Sequence, residues 1–98
     1  MTIRIEKQAN NLLLAPEGRV DTMTAPELEK TIKENLDGVT SLIIDFADME
    51  YISSAGLRVL LSAQKAMNAK GEMKVCHVNE TIMEIFEVTG FSDILTIE

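Results

Sequence analysis

The segment Ser53-Ser54-Ala55-Gly56 combines residue types that could support chemistry at one defined place in the chain. It follows a predicted buried strand and an acidic stretch, and it begins a predicted helix. A serine at such a junction can cap the helix through its hydroxyl oxygen. It can also accept a phosphoryl group, because a phosphate at a helix N-terminus meets free backbone amides at the positive end of the helix dipole. Both roles are compatible with this segment.

Helical spacing predicts an exposed polar strip that begins at the second serine. At about 100° per residue, one side of the helix is polar, and the opposite side carries an apolar stripe that includes Leu57, Leu60 and Leu61. The polar side consists of Ser54, Arg58, Ser62 and Lys65. We therefore expect the Ser54 hydroxyl to be exposed, with Arg58 one turn further on to supply a cation to a phosphate.

A glycine inside the first turn of this helix is unusual. Gly56 costs the helix up to about 1 kcal/mol relative to alanine. Glycine is kept at such a position either for freedom in φ or for the close approach of another group. The sequence leaves these two alternatives open.

Other polar residues have structural interpretations that compete with functional ones. Asp45, Asp48 and Glu50 could form a magnesium cluster, but the further acids and the lysine of a receiver domain are missing, so a solvated acidic loop is favoured. His77 is expected in the core or at a strand end, and Cys76 in the core. No nucleophile–base pair, metal-ligand spacing or glycine-rich phosphate loop indicates catalysis, so we expect neither an enzyme nor a metal or other cofactor.

The elements that must position these residues are predicted in the order β-β-α-β-α-β-α with a short tail. Two strands around Ile3–Ile5 and Leu12–Leu14 flank a turn at Asn10-Asn11, which predicts a hairpin. Thr24-Ala-Pro-Glu27 has the pattern of a capping box, in which the threonine hydroxyl and the glutamate carboxylate satisfy helix amides. Gly38 is expected just past the end of this first helix.

The second half of the chain alternates strands and helices. The apolar run within 41–46 is typical of a strand covered on both faces. A helix is predicted from near Ser54 to Gly71, a buried strand over Glu72–Val78, and a third helix from an Asn79 cap to Gly90. A short element at Ile94–Ile97 ends the chain. This order predicts an α/β fold in which helices pack against a mixed β-sheet.

The composition limits the class of protein. Ninety-eight residues leave room for one domain, residues 1–98. Nine Lys and Arg against sixteen Asp and Glu give a net charge of −7, which argues against nucleic acid and anionic lipid as partners. The excess lies mainly before Ser54, where residues 1–53 hold five basic and ten acidic residues. A single cysteine, with no signal-peptide pattern and no long apolar run, predicts a cytoplasmic protein with no membrane partner.

The run Ile52-Ser-Ser-Ala-Gly-Leu-Arg-Val-Leu-Leu61 resembles the signature of the STAS domain family, in particular that of the bacterial anti-sigma factor antagonists. The resemblance covers nearly the whole chain. Gly18-Arg-Val-Asp21 matches an early Gly-x-x-Asp segment, and Glu72–Cys76 and Thr89-Gly-Phe91 match a later strand and the end of the third helix. A single STAS-type domain is implied.

The resemblance also implies a phosphorylation switch. In that family an anti-sigma factor, which is itself a serine kinase of histidine-kinase-like ATPase fold, phosphorylates the motif serine, here Ser54. The unmodified protein binds this kinase and so frees a sigma factor, and a metal-dependent serine phosphatase restores it. The partner-contacting aspartate of the family falls on Asp21. The implied partner-binding residues are Asp21, Ser53, Ser54, Gly56 and Arg58.

Two positions depart from the common Asp-Ser-Ser-Gly form of the motif. Ser53 stands where aspartate is frequent, and Ala55 stands where the second serine does. The first change removes a carboxylate beside the phosphoacceptor. A second function on the same fold stays open, namely a subunit of a transporter or signalling assembly that is never phosphorylated. Asp21 likewise has a structural alternative, because an aspartate between a strand and a helix is usually a turn residue.

Overall fold

Nine helices and strands and one short 3-10 turn make up the computed structural model, which describes residues 1–98. In chain order they are β1 (Ile3–Gln8), β2 (Asn11–Pro16), β3 (Gly18–Val20), α1 (Ala25–Asn35), β4 (Ser41–Asp45), β5 (Met49–Ile52), α2 (Ser54–Asn68), β6 (Glu72–Cys76), α3 (Glu80–Thr89) and the 3-10 turn (Phe91–Asp93). The α/β class predicted from the sequence is confirmed.

The main sheet is mixed, as predicted, with its four strands in the order β1-β2-β4-β6. β1 and β2 form an antiparallel hairpin, and β2, β4 and β6 run parallel. Helical crossovers join the parallel strands because such strands need a long connection. The hairpin turn lies at Ala9-Asn10, one residue earlier than predicted, and Ala9 has a φ of 54°.

A second sheet of two short parallel strands, β3 and β5, was not predicted. The stretch Met49–Ile52, taken as part of an acidic loop, is strand β5. Strands of three and four residues carry little periodicity of their own. β3 and β5 form because each is the hydrogen-bonding partner of the other. They lie far apart in the sequence, so a local sequence pattern does not indicate their pairing.

The central strand β4 is fully buried on one face only, so the prediction of a strand covered on both faces is wrong. Leu42 and Ile44 are completely buried, whereas Ile43 and Asp45 are half-buried. The apolar run nevertheless continues on the open face because Ile43 is the register partner of Leu13 on β2. Neighbouring side chains on one face of a sheet shield each other from water.

The first helix begins without the predicted capping box. The Thr24 hydroxyl donates to the Arg19 carbonyl at 2.8 Å and accepts from the Asp21 N–H at 2.9 Å, and it makes no cap bond to the helix. The Glu27 carboxylate forms an ion pair with the Met1 amino group at 3.0 Å. The predicted pattern fails because tertiary partners compete for both side chains.

The later elements follow the predictions more closely. α2 begins at Ser54 as predicted and ends at Asn68, before Gly71. α3 has both predicted ends, because Asn79 Oδ1 accepts the Ile82 N–H at 2.8 Å and Gly90 adopts a left-handed conformation. The element predicted at Ile94–Ile97 is reduced to one parallel bridge between residues 75 and 97, and the 3-10 turn precedes it.

One hydrophobic core joins the two sheets and the helices. It contains 23 buried residues, drawn from the strands, the three helices and the connections between them. No helix of this fold has the combination of length and apolar character that crossing a membrane requires.

Candidate functional site

The small parallel sheet brings two distant parts of the chain together at one edge. Val20 and Ile52, the last residues of β3 and β5, are register partners, and the Ser53 N–H donates to the Val20 carbonyl at 2.8 Å. Parallel strands lie roughly 4.8 Å apart and end at the same edge. Asp21 and Ser53, which follow these strands, are therefore neighbours, and Ser54 comes next.

The two serines have different environments. Ser53 is the N-cap residue of α2, but its hydroxyl oxygen is buried, makes no cap bond and has no hydrogen-bond partner. Ser54 is the first helical residue and is exposed. The first amides of a helix have no partner within the helix. The interpretation of Ser53 as a capping side chain is therefore wrong, and Ser54 presents the accessible hydroxyl beside free amides.

Gly56 is needed for the close approach of α2 to the small sheet. A Cβ added to this buried glycine would lie 2.6 Å from Ile52 Cγ1 and 2.7 Å from Val20 Cγ1. Its φ is not in the left-handed region. Of the two alternatives left open by the sequence, close approach is the correct one. Gly56 therefore sets how closely the start of α2, with Ser53 and Ser54, packs on the small sheet.

Asp21 acts as an anion in the turn before α1. Its Oδ1 atom accepts the N–H groups of Thr24 at 3.1 Å and Met23 at 2.9 Å, and these bonds lower the pKa of the Asp21 carboxyl below its ordinary value. The structural role considered for this aspartate is confirmed. All of the hydrogen bonds that the Asp21 carboxylate makes within the chain reach Oδ1, so Oδ2 has no hydrogen-bond partner within the chain.

The predicted polar strip of α2 is confirmed. Its four members, Ser54, Arg58, Ser62 and Lys65, are all exposed. Ser54 and Arg58 are one turn apart, so their side chains are neighbours on the helix surface. Beside the strip, an open groove runs between α1 and α2 and is lined by Thr22, Ala25, Pro26, Glu29, Lys30, Lys33, Glu34, Ala55, Arg58 and Val59.

Two features of this region were missed from the sequence. Met23 is 86% exposed in the turn after Asp21, and the Arg19 guanidinium lies 4.6 Å from the centre of the Tyr51 ring. The sequence could have indicated Met23, because it is an apolar residue in a turn that has no periodic apolar pattern. Arg19 and Tyr51 meet because they are register partners in the unpredicted sheet. We call the half-buried Asp21 and the exposed Met23, Ser54 and Arg58 the Ser54 surface.

The predicted acidic loop divides into two parts. Asp48 and Glu50 are exposed, whereas Asp45 Oδ1 lies 2.8 Å from His77 Nδ1. The expectation of a core histidine is wrong and the strand-end alternative is confirmed, since the His77 side chain is 66% exposed just after β6. Cys76 is half-buried, and burial raises the pKa of its thiol.

Comparisons with known proteins agree with this fold. The STAS domain family model matches residues 2–98. A protein named as an anti-sigma factor antagonist, BtrV of Bordetella bronchiseptica, is 32% identical over 99% of this chain and 85% of its own length. The anti-sigma-B factor antagonist of Staphylococcus aureus is 30% identical over 80% of this chain and 74% of its own length.

Solved structures give the same result for the fold. The crystal structure of an anti-sigma factor antagonist from Mycobacterium paratuberculosis has a TM-score of 0.88 at 23% identity and covers 98% of this chain and 83% of its own. The fold therefore places the chain in the class of α/β STAS domains. The chain belongs to the STAS domain family, and within it to the anti-sigma factor antagonist family.

Proposed function

We propose that the protein acts as an anti-sigma factor antagonist, by binding a partner rather than by catalysis. Unmodified, it binds an anti-sigma factor that is also a serine kinase of histidine-kinase-like ATPase fold, and this binding frees a sigma factor. The kinase transfers the γ-phosphoryl group of ATP to Ser54 Oγ, ADP leaves, and the hydroxyl proton passes to a base on the kinase. A metal-dependent serine phosphatase hydrolyses the phosphoserine. The names of the two curated relatives support this class of function.

The observation that carries the proposal is the exposed Ser54 hydroxyl at a helix N-terminus that no side chain caps. A kinase needs an accessible hydroxyl, and of the two serines only Ser54 is exposed, because the Ser53 oxygen is buried. The free amides of α2 and the Arg58 cation would stabilise a phosphate at this position without any refolding. Asp21 and Met23 extend the same surface by one anionic and one apolar contact for the partner.

The groove between α1 and α2 supports a docking surface that continues from Ser54. Arg58 belongs both to the Ser54 surface and to this groove. The walls of the groove carry the pairs Lys33–Glu29, at 2.8 Å, and Lys30–Glu34, at 3.8 Å. A partner that covers Ser54 would therefore meet charges of both signs on α1, so complementarity there would favour one orientation of the complex.

A single phosphate is sufficient to break such a complex. It adds about −1.5 to −2 charges at neutral pH. Two negative charges about 6 Å from one partner carboxylate raise the energy by roughly 1.4 kcal/mol in water and roughly 5.5 kcal/mol at an effective dielectric constant of 20. Each 1.4 kcal/mol corresponds to about a tenfold change in affinity. The negative charge of one phosphate inside the interface is therefore enough to weaken binding, without a change of fold.

Intact-mass analysis of the protein purified from its own cells tests the modification. We expect a population heavier by one phosphate that is absent from Ser54→Ala. Ser62→Ala removes an equally exposed hydroxyl two turns along the same strip and should keep the phosphate. Absence of a phosphorylated population under every growth condition would instead support the never-phosphorylated subunit of a transporter or signalling assembly.

A pull-down with the unphosphorylated protein tests the partner. We expect the wild type and Ser54→Ala to retain a kinase of ATPase fold. Ser54→Asp should lose at least about threefold in affinity for it, because aspartate adds one negative charge where a phosphate adds nearly two. Ser62→Asp adds the same charge to the same face of α2 and should bind as the wild type does. Equal binding of Ser54→Asp and wild type would exclude the proposed switch.

A further inference from the structure

Three side chains with metal-ligating atoms converge at the carboxyl ends of β4 and β6. Asp45 and Cys76 are the last residues of these strands and are register partners, and His77 follows Cys76 directly. His77 Nδ1 lies 2.8 Å from Asp45 Oδ1 and 3.6 Å from Cys76 Sγ. All three ligand atoms lie within 4.8 Å of one another. The carboxyl edge of parallel strands is where ligands bind in many α/β sheets.

The backbone at His77 is what makes this convergence possible. In an extended strand, consecutive side chains point to opposite faces, so the side chains of Cys76 and His77 would not meet. His77 instead has a φ of 56°, in the left-handed region that non-glycine residues occupy rarely and at a cost. The Phe46 N–H, which donates to the Cys76 carbonyl at 2.9 Å, and Asn79 Nδ2, which donates to the Met49 carbonyl at 2.9 Å, hold this turn.

We propose that Asp45, Cys76 and His77 form a binding site for a thiophilic divalent cation of the zinc type, with one coordination position open to water. A thiolate, an imidazole and a carboxylate are a donor set typical of zinc, and a catalytic or regulatory zinc site has three protein ligands and an open position. Two of the three ligands are anionic when bound, which neutralises the dication.

The distance between the Cys76 and His77 ligand atoms already fits tetrahedral coordination, whereas the Asp45 oxygen has to move. Zinc bond lengths of about 2.3 Å to sulfur and about 2.05 Å to nitrogen place these two ligand atoms roughly 3.5 Å apart. The observed Sγ–Nδ1 distance is 3.6 Å. The nitrogen and the carboxylate oxygen would be roughly 3.4 Å apart around zinc. The Asp45 oxygen thus has to withdraw by about half an ångström as the cation replaces its hydrogen bond to His77.

The surroundings give a cation both access and attraction. The His77 side chain is 66% exposed, so the site is open to solvent on one side, whereas the Asp45 side chain is only 13% exposed and is anchored by the Ala47 N–H at 2.9 Å. The Asp45 carboxylate belongs to the same cluster as the sulfur and supplies negative charge to a cation there. A metal site would use the Cys76 thiol, whereas a simple hydrogen bond between Asp45 and His77 would not. Participation of the thiol therefore distinguishes the two cases.

Titration of the full-length, untagged protein with Co²⁺, followed by displacement with Zn²⁺, tests the proposal. We expect one equivalent of Co²⁺ to give tetrahedral ligand-field bands and a thiolate-to-cobalt charge-transfer band. His77→Asn should weaken Co²⁺ binding by at least about 10–100-fold. That is the loss seen when only a residue supporting a metal ligand is removed, and His77 is a proposed ligand itself. Asparagine tolerates the left-handed conformation, so this variant should keep the fold. Cys76→Ser should abolish the charge-transfer band.

Asp48→Asn is the matched control, because Asp48 is an exposed carboxylate in the adjacent turn and lies outside the cluster. It should bind Co²⁺ as the wild type does, and thermal unfolding confirms that each variant is folded. Failure of the wild type to bind one equivalent, or binding that Cys76→Ser and His77→Asn leave unchanged, would overturn the proposal. The result is independent of Ser54 phosphorylation, because none of these variants alters the Ser54 surface.

Discussion

Replacement of Gly56 by alanine should destabilise the fold even though alanine is the better helix former. The new Cβ would lie 2.6 Å from Ile52 Cγ1 and 2.7 Å from Val20 Cγ1, whereas carbon atoms in contact prefer about 3.5–4.0 Å. Both neighbours are at most 1% exposed, so they have no free space to enter. Two elements must therefore separate by close to an ångström in a packed core.

The magnitude follows from two opposing effects. Overpacking of this kind costs about 1–3 kcal/mol, and replacing glycine within a helix returns up to about 1 kcal/mol. Because two buried contacts clash at once, the cost lies in the upper part of that range, about 2–3 kcal/mol, and we expect a net loss of about 1–2 kcal/mol in the free energy of unfolding. For a domain of this size, each kcal/mol lowers the melting temperature by about 4–8 °C, so a fall of about 4–16 °C is expected.

Thermal unfolding monitored by circular dichroism measures this effect, and urea unfolding gives the free energy directly. Ser62→Ala, at an exposed position of the same helix, raises helix propensity without a clash and should not lower the melting temperature. At a temperature where Gly56→Ala is folded, affinity for the partner should also fall, because Asp21 and Ser53 follow the two displaced strands. A melting temperature for Gly56→Ala equal to or above that of the wild type would refute the assignment of Gly56 to close approach.

Three further expectations concern single residues. Gly71→Ala should destabilise more than Gly56→Ala in urea unfolding, because its Cβ would overlap the backbone carbonyl oxygen of Thr40, which cannot rotate away as a side chain can. The pKa of Asp21 is lowered in the folded protein, so its ionised form stabilises the fold at pH values above the unfolded pKa of about 3.9. The wild type should therefore melt at a higher temperature than Asp21→Asn at pH 7. This difference in melting temperature should shrink as the pH falls below about 4. Met23→Ala should leave the melting temperature unchanged while weakening partner binding about tenfold by calorimetry, as expected for an exposed apolar contact that becomes buried.

The helical part of the candidate site was predictable because helical periodicity is a local property. The spacing of Ser54, Arg58 and Ser62 places them on one face whatever the rest of the chain does. The same reasoning failed for Thr24, where the pattern of a capping box is present but Arg19 and Asp21 provide competing hydrogen-bond partners. A local sequence pattern shows which hydrogen bonds a side chain could make, and the tertiary structure determines which of them form.

The site also depends on contacts that no local pattern contains. Asp21 lies beside the serine turn because β3 pairs with β5, and each of these strands is too short to be recognised alone. The meeting of Asp45, Cys76 and His77 requires both the register of β4 with β6 and a left-handed residue at position 77. Asp45 lies far from Cys76 and His77 in the sequence, and no local pattern joins them.

Residue types and short spacings are enough to predict the α/β class, the helix that begins at Ser54 and the exposed polar strip of that helix. Only the folded structure shows that the Ser53 hydroxyl is buried without a partner, why Gly56 is a glycine, and that Asp21 lies beside the two serines. The physical reason is that burial, close packing and strand pairing join residues far apart in the chain. Their energies exist only once the chain is folded.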